Sequence, residues 1–177
     1  MTIMNLQNNK KMKTTTIILD HNQINQKIKR IAYQIYEANS FEKEVVIAGI
    51  QGNGIYFAEQ LALSLQQISS LKIILCEVYI DKKNPLDTIS TSIQNIEYKN
   101  KPIVLVDDVL NSGTTLMYGI KYFLDVPLKR FKTAVLVNRN HKKYPVKADF
   151  KGISLSTSIK EHVEVVFDGK RSKAFLM

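Results

Sequence analysis

Four short runs rich in Val, Ile and Leu constrain this chain most: Glu44 to Ile50 (EVVIAGI), Lys72 to Tyr79 (KIILCEVY), Pro102 to Asp107 (PIVLVD) and Phe131 to Asn138 (FKTAVLVN). Their near-continuous apolar, β-branched character predicts strands buried on both faces. The stretches between them switch to helical spacing. Asp20 is placed to cap a helix reaching about Asn39, with Ile24, Ile28, Ile31 and Ile35 forming one apolar stripe. A second helix is expected over Ile55 to Ile68 through Phe57, Leu61 and Leu65, and a third over Thr115 to Leu124. Ala148 to Ile153 and Val163 to Phe167 add two shorter strands. Strands alternating with helices predict an α/β fold with a central, mostly parallel sheet flanked by helices. The polar stretch Asp81 to Lys101, with Pro85 inside it, predicts a loop or flexible hairpin.

Composition narrows the class further. A length of 177 residues fits one domain. Residues 1–16 hold Lys10, Lys11 and Lys13 and no acid, and read as a flexible basic arm; residues 17–177 form the domain. A single cysteine, Cys76, rules out an intramolecular disulfide and a Cys-rich zinc site, and its apolar strand makes it a core residue. No apolar run approaches the ~20 residues of a membrane helix. The polar N-terminus lacks the apolar middle of a signal peptide, so the expected compartment is the cytoplasm. The net charge is +9. Part of it sits between Asn138 and Gly152, where Arg139, Lys142, Lys143, Lys147 and Lys151 face only Asp149. Such a patch suits phosphates or nucleic acid, but charge alone fits a solvated surface better.

The chemistry lies in Ile103 to Thr115, IVLVDDVLNSGTT. An apolar strand delivers Asp107 and Asp108 to the carboxyl edge of a parallel sheet, where ligands bind. Carboxylates there accept hydrogen bonds from sugar hydroxyls, directly or through a metal-bound water. The segment Asn111, Ser112, Gly113, Thr114 and Thr115 then presents backbone N–H groups and hydroxyls at a helix start, a ready anion site. A diol-binding acid pair followed by a phosphate loop describes a pocket for ribose 5-phosphate.

This thirteen-residue arrangement resembles the phosphoribosyl pyrophosphate (PRPP) signature of the type I phosphoribosyltransferases. From about Ile17 to Phe167 the chain also resembles a branch of that family that combines pyrimidine-operon regulation with uracil phosphoribosyltransferase activity. The shared features are Gly49-Ile50, Gly54-Ile55-Tyr56, VNRNH ending at His141, Tyr144-Pro145-Val146, Ala148-Asp149-Phe150, Gly152 and Thr157-Ser158. The resemblance implies a type I phosphoribosyltransferase fold with a small hood. It implies Mg²⁺-dependent transfer of the phosphoribosyl group from PRPP to a nucleobase, releasing a nucleoside monophosphate and pyrophosphate. Asp107 and Asp108 would bind the ribose hydroxyls and, largely through them or water, Mg²⁺; residues 111–115 would hold the 5-phosphate. The turn Gln51-Gly52-Asn53-Gly54 would be the pyrophosphate loop, with a strained non-proline cis peptide. Asp81 to Tyr98 would be a mobile loop closing over the substrate. Arg139 is placed with the catalytic residues and His141 beside the base. Asp149 and Phe150 are expected in the hood over the base. A homodimer or homotetramer is implied, with the C-terminal tail docking on a neighbouring subunit.

Departures from the pattern shift the expectations. The branch carries a Lys and a Thr-Arg-Gly in its pyrophosphate loop; Gln51, Gly52 and Asn53 supply no cation. Its mobile loop carries a Tyr-Arg-Asp-Asp-like stretch; here it reads YIDKKNP, leaving Lys82 or Lys83 to substitute without the guanidinium fork. Purine-specific members have an acid where this chain has Asn111, which tilts base choice toward uracil and makes purine salvage a third reading. The alternatives are a regulatory RNA-binding protein and a catalytically weak PRPP or nucleotide sensor. Lys29 and Tyr33 stand where the regulators present Thr and His to RNA, and this disfavours the first.

Overall fold

The computed structural model describes residues 15–139, 141–158 and 161–177. Its elements in order are β1 (Thr16–Leu19), α1 (His21–Ala38), β2 (Glu44–Ile50), α2 (Asn53–Ile68), β3 (Lys72–Tyr79), β4 (Ser90–Thr91) and α3 (Asn95–Tyr98). They continue with β5 (Pro102–Leu110), α4 (Thr114–Phe123), β6 (Arg130–Arg139), β7 (Phe150–Leu155), β8 (Val163–Val166) and β9 (Lys173–Leu176). Six strands form the main sheet in the order β4-β3-β2-β5-β6-β7, and only the β3–β4 pair is antiparallel. The other three form a small antiparallel sheet in the order β1-β9-β8.

The local signals work as the sequence suggests. Asp20 caps α1 through a reciprocal box with Gln23, at 2.8 and 2.9 Å. Ile24, Ile28, Ile31 and Ile35 are buried beneath it. The helix α1 packs on α2 and on β7. Arg30 on α1 donates to the carbonyls of Lys151 and Gly152, satisfying groups that edge strand β7 would otherwise leave to solvent. The core has two layers. Val45, Ile47, Val104 and Val106 face α1 and α2, while Val46, Ala48, Ile103 and Leu105 face α4 and α3. Cys76 belongs to the second layer, and burial pushes its thiol up to about 12, the state of a core residue and not of a nucleophile.

The small sheet is the hood, and it shares the first core layer. Leu19, Val163, Val165 and Ala174 are buried with the isoleucines of α1. Phe167, just after β8, stacks on Tyr56 with ring centroids 4.6 Å apart.

The structure bears on four expectations. Strand β7 extends the main sheet beside β6, so Asp149 and Phe150 are not in the hood. The C-terminal tail is built into the chain's own fold: β9 is the middle strand of the hood. The stretch Asp81 to Lys101, expected as a loop or flexible hairpin, does fold back as a hairpin, with Ser90–Thr91 antiparallel to the end of β3, and it adds the short helix α3, whose Tyr98 is buried against Phe123. Thr16 starts β1, so it belongs to the folded unit; the rest of the expected basic arm, residues 1–14, lies outside the described residues.

Candidate active site

The strand order decides where a site can form. From β2 the chain crosses to β3 on one side; from β5 it crosses to β6 and β7 on the other. The connections diverge between β2 and β5, and that leaves a crevice at their carboxyl ends. A cavity of about 500 Å³ lies there. Its lining comes from β5 and the turn after it, from the start of α2, from the segment after β3, from Arg139 and from strand β8.

Strand β5 runs through the acid pair to Leu110, because Val109 and Leu110 continue the apolar pattern and stay paired with β6. Asp107 is 4% exposed. Its Oδ1 accepts from the backbone N–H of Asp108 and from Lys82 Nζ, each at 3.1 Å. Burial, and then the neighbouring Asp108 carboxylate, push its carboxyl up to about 7, while Lys82 pulls in the opposite direction. Asp108 Oδ2 accepts from Asn53 Nδ2 at 2.9 Å. The same amide nitrogen donates to the Val165 carbonyl at 2.8 Å. One carboxamide thus joins the first residue of α2, the acid pair and the hood.

Beyond β5 the chain turns at Gly113, which has φ +81° and precedes α4. A Cβ there would lie 2.4 Å from Val146 Cγ1. The Ser112 carbonyl accepts from the N–H groups of Lys143 and Tyr144, so the Tyr144-Pro145-Val146 motif is the seat on which this turn rests. Ser112 Oγ and Thr114 Oγ1 lie 2.9 Å apart, and Thr115 lines the cavity. The arrangement offers hydroxyls and a helix N-terminus to one anion.

The other expected residues divide. The turn at Gln51 to Gly54 makes its reversal at Gly52, with φ +86°, and among the described residues no peptide bond is cis. Glycine adopts that φ without a Cβ clash, and the reversal is made there. Asn53 lines the cavity; Gln51 and Gly52 are exposed beside it. Arg139 also lines it, but Nε donates to Thr157 Oγ1 at 3.1 Å and Nη2 to the carbonyls of Ser158 and Glu161. His141 Nε2 meets the carbonyl and hydroxyl of Thr157. Arg139 and His141 therefore organise the segment that follows β7.

Asp149 and Phe150 are not brought to the site. Phe150 sits level with Ala134, five residues before Arg139 along parallel strands, hence about 16 Å below the carboxyl edge. The Asp149 carboxylate is satisfied by Lys132 and Thr133 near the start of β6. Phe150 packs against the core.

Lys82, expected to stand in for the mobile-loop arginine, reaches the acid pair. The sequence reading missed two contributors, His162 and Glu164, which line the cavity from the hood. A run of isolated charges before β8 carries no motif to reveal them. The donor set suits a hard divalent cation, since two carboxylates in a poorly solvated crevice repel one another until a cation joins them. Among the described residues no group of three or more His, Cys, Asp or Glu could hold a metal by itself. An ion at Asp107 and Asp108 would share its remaining positions with substrate oxygens or water.

With the acid pair, the anion turn and the crevice on one sheet edge, likeness to known proteins becomes informative. The family described as the phosphoribosyl transferase domain matches residues 14–168. The chain belongs to the type I phosphoribosyltransferases. This phosphoribosyltransferase is 32% identical over 161 residues to the bifunctional protein PyrR of Limosilactobacillus reuteri, covering 85% of this chain and 90% of that protein. It is 35% identical over 163 residues to the bifunctional protein PyrR of Streptococcus thermophilus, covering 88% and 93%. Among solved structures it matches a hypoxanthine phosphoribosyltransferase of Trypanosoma cruzi with TM-score 0.70 at 15% identity, over 84% of each chain. It matches a hypoxanthine-guanine phosphoribosyltransferase of Bacillus anthracis with TM-score 0.68 at 19% identity, over 85% and 86%. At those identities the structural likeness carries the fold alone. No helix among the described residues is long and apolar enough to cross a membrane.

Proposed function

We propose that the protein transfers the phosphoribosyl group of Mg–PRPP to a nucleobase, uracil in preference to purines, giving a nucleoside monophosphate and pyrophosphate. One observation carries this reading: an acid pair, Asp107 buried and Asp108 half-buried, and a hydroxyl-lined helix N-terminus open into one crevice at the sheet's switch point. The two ends match the two ends of a ribose 5-phosphate. Asp107 and Asp108 hold the 2- and 3-hydroxyls, and residues 111–115 hold the 5-phosphate. Bound Mg²⁺ adds positive charge beside the diphosphate.

In the reaction the C1–O bond to diphosphate breaks, and its electron pair leaves with the diphosphate. A ring nitrogen of the base donates a pair to C1 and gives up its proton to solvent. Positive charge grows on the ribose in between, and the nearby carboxylates favour it. The protein supplies alignment and charge, with no covalent nucleophile. The preference for uracil is supported by Asn111 standing where an acid would face a purine, and by the likeness to the PyrR proteins.

The test is pyrophosphate release from Mg–PRPP with uracil, hypoxanthine, guanine and adenine supplied separately. Release with uracil, abolished in Asp107→Asn/Asp108→Asn, is the expected result. Release with a purine alone would overturn the base preference. PRPP binding without release for any base would favour the sensor reading, which the cation-free turn Gln51–Asn53 independently supports.

A further inference from the structure

The hood meets the crevice along a strand edge. His162 and Met177 exchange both main-chain hydrogen bonds, at 2.8 and 2.9 Å. By the alternation of an antiparallel pair, Val163 and Val165 then turn their N–H and C=O groups away from β9. That free edge of β8 lines the crevice. Apolar contacts hold the hood from behind, with Val163 and Val165 buried in the first core layer and Phe167 stacked on Tyr56. Among the described residues, the bond from Asn53 Nδ2 to the Val165 carbonyl is the one hydrogen bond from β8 to an element outside the hood.

The same nitrogen donates to Asp108 Oδ2 at 2.9 Å, so its two hydrogens are spent on two different elements. The amide is planar and its N–H directions are fixed. Both bonds are made together only while the Asp108 carboxylate stands where Asn53 reaches it. The last torsion of an aspartate is soft, so the carboxylate is free to turn unless something holds it. Asp108 is half-buried and lines the crevice, and among the described residues its Oδ1 has no hydrogen-bond partner. A carboxamide in this turn ties Asp108 without cancelling its charge, which a lysine or arginine there would do.

We propose that Asn53 is a positioning residue that couples the two halves of the crevice, so that a sugar ligand on Asp108 orders the edge of β8 against which the base is received. In the free protein the Asp108 carboxylate turns, and the tie to the hood is made only part of the time. A ribose hydroxyl or a divalent cation on Oδ1 holds the carboxylate. The carboxylate then holds Asn53, and the second hydrogen stays on Val165. The linkage is reciprocal: a base that orders β8 tightens the sugar ligand by the same factor. No bond is made or broken in this step, and no proton moves. The tie follows from geometry alone; the assignment of sugar and base to its two ends rests on the phosphoribosyl-transfer reading.

The test compares wild type with Asn53→Ala. Asn53 opens α2 and belongs to neither core cluster, so the variant folds, and its melting temperature checks this. Amide hydrogen exchange is read by NMR at Glu164 and Val166, whose N–H groups face β9, with and without ribose 5-phosphate and Mg²⁺. Calorimetry confirms in parallel that the ligand binds. The ligand should slow exchange about fivefold in wild type and leave it unchanged in Asn53→Ala. In turnover, the KM for uracil should fall about fivefold between low and saturating PRPP in wild type and should not depend on PRPP in Asn53→Ala. A merely structural Asn53 would raise the baseline exchange of the variant and leave the effect of ligand intact, so slowing that persists in Asn53→Ala overturns the coupling. Absence of slowing in a wild type that binds ribose 5-phosphate overturns it too, and leaves phosphoribosyl transfer standing. A wild type that binds neither ribose 5-phosphate nor PRPP overturns the coupling together with the functional reading.

Discussion

At Asp107 stability and function pull in opposite directions. Burial and the adjacent Asp108 carboxylate raise its folded pKa from 3.8 to about 7, the Lys82 contact notwithstanding. Between those values the folded state holds a proton that the unfolded chain has released. Stability of the ligand-free protein therefore falls as pH rises through that window. Asp107→Asn should flatten the slope and, above pH 7, raise the melting temperature. Relief of ~1 kcal/mol corresponds to about 2–4 °C in a chain of this size. Calorimetry from pH 4 to 8 measures it; a variant that melts below wild type throughout would contradict the account. Asn53 has the converse profile, because its amide satisfies both Asp108 and the Val165 carbonyl. Asn53→Ala should cost about 1–2 kcal/mol and expose the hood first. Limited proteolysis should then cut near β8 sooner than in wild type, and equal cleavage rates would remove the latch from the argument.

At the scale of elements, the turn before α4 is the piece most dependent on its exact backbone. Gly113 has positive φ and no room for a Cβ beside Val146. Gly113→Ala should destabilise by about 1–3 kcal/mol and should weaken a 5-phosphate ligand more than one lacking that phosphate. Titration with ribose 5-phosphate against ribose separates the two effects; equal losses would mean the turn does not hold the phosphate. The long elements were legible in the sequence. The stripe of α1, its Asp20 cap and the runs of β2 and β3 carry their signals locally, in burial period and in capping chemistry. Of the short strands, β8 was legible through its alternating valines and three others were not. Strands β1, β4 and β9 span four, two and four residues, too few for a period to emerge. What makes Lys173–Leu176 a strand is partners at both ends of the chain, Thr16–Leu19 and Val163–Val166.

For the whole molecule, the hood is continuous with the main core, and its middle strand comes last in the sequence. Deleting residues 173–177 should strip β1 and β8 of their shared partner while leaving β2, β3, β5 and β6 paired. Hydrogen exchange should rise across Thr16–Leu19 and Val163–Val166, remain slow in β5, and be accompanied by loss of PRPP binding. Slow exchange retained in β8 would show that the hood does not depend on β9. The sequence by itself determined the α/β class, the acid pair, the anion turn and the family, because each is carried by short local runs and motifs that need no knowledge of which strands become neighbours. Only the tertiary structure decided that Lys82 meets Asp107, that Asn53 reaches Val165 across 112 positions, and that Asp149 and Phe150 stand away from the crevice. Those placements depend on the order in which parallel strands assemble, and strand order is set by the packing of the whole core.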